Sequence, residues 1–113
     1  MDEKLLGEIA DMCREAINLV PTNGIEQEKN VSEMFKQLRA IAVVCMENLD
    51  LTADLKRTIQ IKRQGELYDS VRFIHGTNSF NLDKAGNIKS QLSKIETILR
   101  DTAIELSPQT RLR

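Results

Sequence analysis

Ala40-Ile41-Ala42-Val43-Val44-Cys45-Met46 is an unbroken apolar run of seven in a chain of 113 residues. It covers nearly two turns at about 3.6 residues per turn, so its side chains point to every side of a helix. A surface helix is apolar along one stripe, whereas a helix apolar all round is enclosed by other elements. The segment is therefore either the central helix of a small bundle or a helix whose outer side is covered by a second chain. Around it the sequence predicts a helix near 31–49, with Val31, Phe35, Leu38, Ala42, Cys45 and Leu49 spaced 4-3-4-3-4 and Met34 and Ile41 beside them. Asn30 with Glu33 offers a capping-box-like start, and Asn23 with Glu26 offers an earlier one.

On the N-terminal side, Leu5, Ile9, Met12, Ala16 and Leu19 repeat at 4-3-4-3 and predict a helix near 2–20. Leu6, Cys13, Ile17 and Val20 widen its stripe. Asp2 and Glu3 suit the positive end of the helix dipole, and Pro21 with Asn23-Gly24 stops it. On the C-terminal side, Ala85, Ile88, Leu92, Ile95, Leu99 and Leu106 lie on a heptad lattice over about 82–106, with Thr102 in one slot and Ile98 and Ile104 off the seam. Asn81 or Asp83 caps this helix, Glu96 and Arg100 form a favourable i, i+4 pair, and Ser107-Pro108 ends it.

The segment 52–75 reads two ways. Leu55, Ile59, Leu67, Val71 and Ile74 fit a helical face after a Thr52 cap, but Lys62-Arg63 leaves a hole in it. Thr58-Ile59-Gln60-Ile61-Lys62 instead alternates like a strand, with Gly65 as a turn and 67–74 as the return. Gln-Gly is not a favoured two-residue hairpin turn, which tips the reading to helix. His75-Gly76-Thr77-Asn78-Ser79 is a loop by composition.

At 12.8 kDa the chain has room for one core. Aromatics are 4% with no Trp, a poor supply for a β-sandwich, while Leu, Ile, Met, Val and Ala suit helix packing. Residues 1–50 hold ten acids and five bases, and residues 51–113 hold seven acids and eleven bases. This asymmetry fits either self-complementary packing or a basic half that meets an acidic partner. Cys13 and Cys45 sit inside apolar helical patterns, and the Met-Asp-Glu-Lys start lacks the basic region of a secretory signal. Both are therefore expected as reduced core thiols of an intracellular protein. No run reaches the length of a membrane span.

Catalytic and metal grammar is missing. His75 is the one histidine, the cysteines have no CxxC spacing, and the acids form no EF-hand or ExxH pattern. The glycines make neither a P-loop nor a dinucleotide fingerprint. Lys56, Arg57, Lys62 and Arg63 are a basic cluster, extended by Arg72, that could touch phosphates. The pI of 5.9 and the lack of interleaved aromatics weigh against that use.

These readings give an all-α antiparallel bundle of three to four helices over 1–106, open to completion by a second chain, with a disordered tail at 107–113. The alternative is α+β with a hairpin at about 57–74. The expected function is a non-enzymatic protein–protein assembly module, a subunit or adaptor without cofactor or metal. Its expected partner is another protein or a second copy, with no membrane contact. Its expected contact residues are Ile88, Leu92, Ile95 and Leu99, with Lys56, Arg57, Lys62 and Arg63 as the charged set. The alternatives are a nucleic-acid-associated regulator working through 56–72, or an inhibitor that blocks a partner's site.

Overall fold

The computed structural model describes residues 3–21, 28–48 and 61–106. They form four α-helices: α1 (Glu3–Leu19), α2 (Glu28–Asn48), α3 (Ile61–Gly76) and α4 (Leu82–Leu106). Among the described residues there is no strand, so the hairpin alternative fails wherever it can be seen. Helical spacing decides the point: Leu67, Val71 and Ile74 share one buried face of α3, and Ser70 lies beside them. Thr52, Leu55, Lys56, Arg57 and Ile59 lie outside the described residues, as does the 107–113 tail.

The helices form a ring, with α1 and α3 each packed between α2 and α4, and the α1–α4 interface is the most extensive. Cross-links give the directions. Gln37 on α2 donates to the Met12 carbonyl and to Glu15 on α1. Arg14 meets Glu96 and Arg100 meets Asp11, so α1 and α4 run antiparallel. Arg63 meets Asp101, and Ser70 meets Gln91, so α3 and α4 do too. The body measures 49 × 23 × 20 Å, two helix diameters of about 10 Å in each short direction.

Local chemistry sets the helix ends. The last turn of α1 tightens through Val20 N–H donating to the Ile17 carbonyl at 3.2 Å, ahead of Pro21. The second helix starts at Glu28, three residues before the expected Val31, so Asn30 lies inside its first turn and is not the cap. His75 and Gly76, expected in a loop, complete α3. Thr77 then closes it, its Oγ1 donating to the Phe73 carbonyl at 2.8 Å. Asn81 caps α4 as expected, its Oδ1 accepting from Lys84 N–H at 3.2 Å.

One core runs through the ring. On α1 the buried set is Leu6, Ile9, Ala10, Cys13 and Ala16, while Leu5, Met12 and Leu19 are only partly covered. The inward stripe is therefore centred one residue beyond the expected seam. On α2 it is Met34, Leu38, Ile41, Ala42 and Cys45, with Val31 and Phe35 at the edge. Ile98, off the heptad seam, is buried as well, because α4 faces two neighbours and needs a wider stripe than a two-helix contact.

Candidate functional site

Ile88, Leu92, Ile95 and Leu99 have no exposed surface; they lie in the chain's own core. The seam expected to meet another chain is thus filled by the helices flanking α4. Of the expected charged set, Arg63 is spent on the bundle, its Nη2 lying 2.8 Å from Asp101 Oδ2 on α4. Arg72 pairs with Asp69 at 2.7 Å, one turn back on α3. Lys62 sits at the start of α3 without a described side chain, and Lys56 and Arg57 lie outside the described residues. No common basic face follows from the described members of this cluster.

The end of the bundle where α3 passes into α4 carries two hollows. One of about 400 Å³ has Phe73 and Ile88 among its walls and Arg72, Thr77, Ser79 and Lys84 around it. The other, about 280 Å³, lies between Phe35, Arg39, His75, Thr77 and Asn78. Their cations already have polar neighbours: Arg72 holds Asp69, and the Lys84 ammonium donates to the Ser79 hydroxyl. His75 is exposed, whereas both thiols are enclosed, so no Cys–His pair forms. Burial pushes the Cys45 thiol up to about 12, and burial together with the nearby Cys45 and Glu96 pushes Cys13 up as well. Both therefore stay protonated near neutrality and are poor nucleophiles. Among the described residues no group of three or more His, Cys, Asp or Glu could hold a metal ion.

The outer face of α2 is different. Within the apolar run, Ile41, Ala42 and Cys45 point into the core, while Val43 is 44% and Met46 47% exposed. Among the described residues the run is therefore not covered on every side. Around these two residues the same face carries Lys36, Arg39 and Glu47, all exposed, and Ala40, which is half-covered. Leu82 and Ile104 are the other large apolar side chains exposed among the described residues, and both lie on α4. Val43 and Met46 lie side by side on this face, next to the small Ala40. Val43 and Met46 were visible in the sequence as part of the run, but nothing in the run marks which members face out. The marker lies outside it: Lys36 and Glu47 fall on the same 4-3-4 lattice as Ala40 and Val43.

Compared with known proteins, the chain matches no family model, no curated protein and no solved structure. Among the described residues no helix is long and apolar enough to cross a membrane.

Proposed function

We propose that this chain is a non-enzymatic helical interaction module that holds another protein chain against the outer face of α2. The observation that carries this reading is the exposure of Val43 and Met46 in a run whose Ile41, Ala42 and Cys45 build the core. Their remaining exposed surface is worth about 1 kcal/mol each on burial, so the apolar centre gives a modest affinity. Lys36, Arg39 and Glu47 then select the partner and its orientation more than they strengthen the contact. The ion-paired, four-sided bundle supplies a rigid platform, which limits the ordering cost of binding.

Phosphate contact through 56–72 is the weaker reading, because Arg63 and Arg72 already hold carboxylates. Nucleic-acid binding there would fall steeply with salt, and little retention is expected at about 150 mM.

The test is affinity capture from the native cell extract with wild-type chain and with Val43→Glu/Met46→Glu. Both substitutions sit on exposed positions, so helicity and melting temperature should be unchanged. Protein chains retained by the wild type and lost by the variant support the module. Equal retention by both, with the variant folded, would remove the α2 face from the function.

A further inference from the structure

We propose that the occupant of the outer α2 face is a second copy of this chain, docked antiparallel, α2 against α2, about a two-fold axis passing between Ala40 and Val43. This occupant rests on reading that face as a docking surface, and it adds the partner's chemistry and orientation.

Lys36, Ala40, Val43 and Glu47 follow one another at spacings of 4, 3 and 4, which keeps them on one side of the helix. Lys36, Val43 and Glu47 are exposed. After the exposed Glu33, the stretch from Lys36 to Glu47 thus runs from a cation through two apolar residues to an anion. Reversed, it is its own complement. In the antiparallel pair each Lys36 faces the partner's Glu47, and each Ala40 faces the partner's Val43. Those are the layers that an antiparallel heptad seam forms. A parallel pair would instead oppose lysine to lysine and glutamate to glutamate, so charge selects the antiparallel arrangement.

The flanks agree. Arg39 and Met46 lie seven residues apart on one side of the stripe, where the thioether and the aliphatic arginine stem can cover the apolar centre. Ala40 has a methyl side chain and lets the two helix axes approach closely. Because the contact is isologous it closes at two copies and leaves no free end for a filament. A single helix pair sits at the small end of specific interfaces, so the dimer is weak and depends on concentration.

Lys36 and Glu47 are eleven residues apart, about 16 Å along the axis of one helix. They cannot reach each other within a chain. Any coupling between them is therefore a contact between chains, which makes a charge swap decisive.

The experiment is sedimentation equilibrium of the full chain from about 10 μM to about 1 mM, spanning weak association. It compares wild type, Lys36→Glu, Glu47→Lys and the double swap Lys36→Glu/Glu47→Lys. The wild-type molar mass should rise above the 12.8 kDa of one chain as concentration increases. Each single swap places like charges together twice in the dimer and should raise its Kd by about tenfold or more. The double swap should return the Kd to the wild-type range. In parallel, zero-length carbodiimide coupling of mixed isotopically labelled and unlabelled wild-type chains should yield a Lys36–Glu47 link between chains.

A molar mass of one chain at every concentration overturns the proposal. So do single swaps without effect, or a double swap as weak as the singles. If the chain is monomeric yet capture of another protein still requires Val43 and Met46, the second copy is excluded and the docking reading stands. If neither association nor capture depends on those residues, both fall.

Discussion

Arg14 and Glu96 meet across the α1–α4 interface, with arginine Nη2 2.6 Å from Oε1 and Nε 3.3 Å from Oε2. The carboxylate is buried while the arginine side chain remains 55% exposed. Arg100 donates to the same carboxylate from one turn away, Nε to Oε2 at 3.0 Å, and also reaches Asp11 at 3.0 Å. Glu96 is thus a buried anion held by two cations that keep one side in water. Its two fork contacts fix the sliding register of α1 on α4, which apolar side chains alone define less sharply.

That asymmetry sets the first prediction. Replacing Glu96 with Met removes the buried charge and lets both arginines return to water, so the cost should be about 1 kcal/mol or less. Replacing both Arg14 and Arg100 with Met strands the carboxylate and should cost roughly 3–5 kcal/mol. Adding Glu96→Met to the double variant should recover most of that loss. Urea denaturation of the four proteins checks the order; a Glu96→Met variant that is the least stable would show that the carboxylate contributes more than its desolvation takes.

A second prediction concerns the α4 seam. Leu92 and Leu99 are fully buried, so Leu92→Lys with Leu99→Lys places two unpaired ammonium groups in the core. The chain should lose its helical circular dichroism at every concentration, because each buried unpaired charge costs several kcal/mol against a total stability of about 5–15. A helical variant with reduced molar mass would instead show that the seam lies between chains.

Much of this fold is legible in the sequence, for reasons that also explain where it is not. Pro21 and Asn81 mark their helix ends because a missing N–H and a capping oxygen act locally. The α4 seam is clear because charged and polar residues separate its apolar positions. On α2 the same logic fails: a run without polar members cannot show which side faces in, and Val43 and Ile41 differ only in what packs beside them. The α3 face is broken in the sequence at Lys62-Arg63, but Ser70 keeps its place in the core because its hydroxyl donates to Gln91 Oε1 at 2.7 Å. That partner lies twenty-one residues away, beyond the reach of local pattern.

Gly65 supplies a third prediction. It lies in the interior of α3 with a helical backbone and no positive φ, and beyond the adjoining backbone of its own helix an added Cβ would meet no atom within 4 Å. Gly65→Ala should therefore stabilise the chain by about 1 kcal/mol, chiefly by reducing the freedom of the unfolded state. In a thermal melt this is a rise of roughly 4 °C. A fall in melting temperature would show that α3 needs the glycine for a conformation or contact other than this one.

The buried thiols give the last prediction. Cys45 is raised from an ordinary 9.0 to about 12, and Cys13 is also raised, so both remain protonated in the folded chain well above neutral pH. The unfolded chain binds fewer protons than the folded one once pH exceeds about 9, where its thiols ionise. Stability is therefore fully present below pH 9 and declines as pH rises from there toward the folded values. The slope should be about 1.4 kcal/mol per pH unit for each thiol, hence close to 3 for the pair. Cys45→Ala lowers stability at all pH values by leaving a small void, but it should also remove about half of the thiol-dependent slope. Urea denaturation between pH 8 and about pH 11 measures both quantities. An unchanged slope in Cys45→Ala would mean that this thiol ionises as readily in the folded chain as in the unfolded one, and that α2 opens to water at its core face.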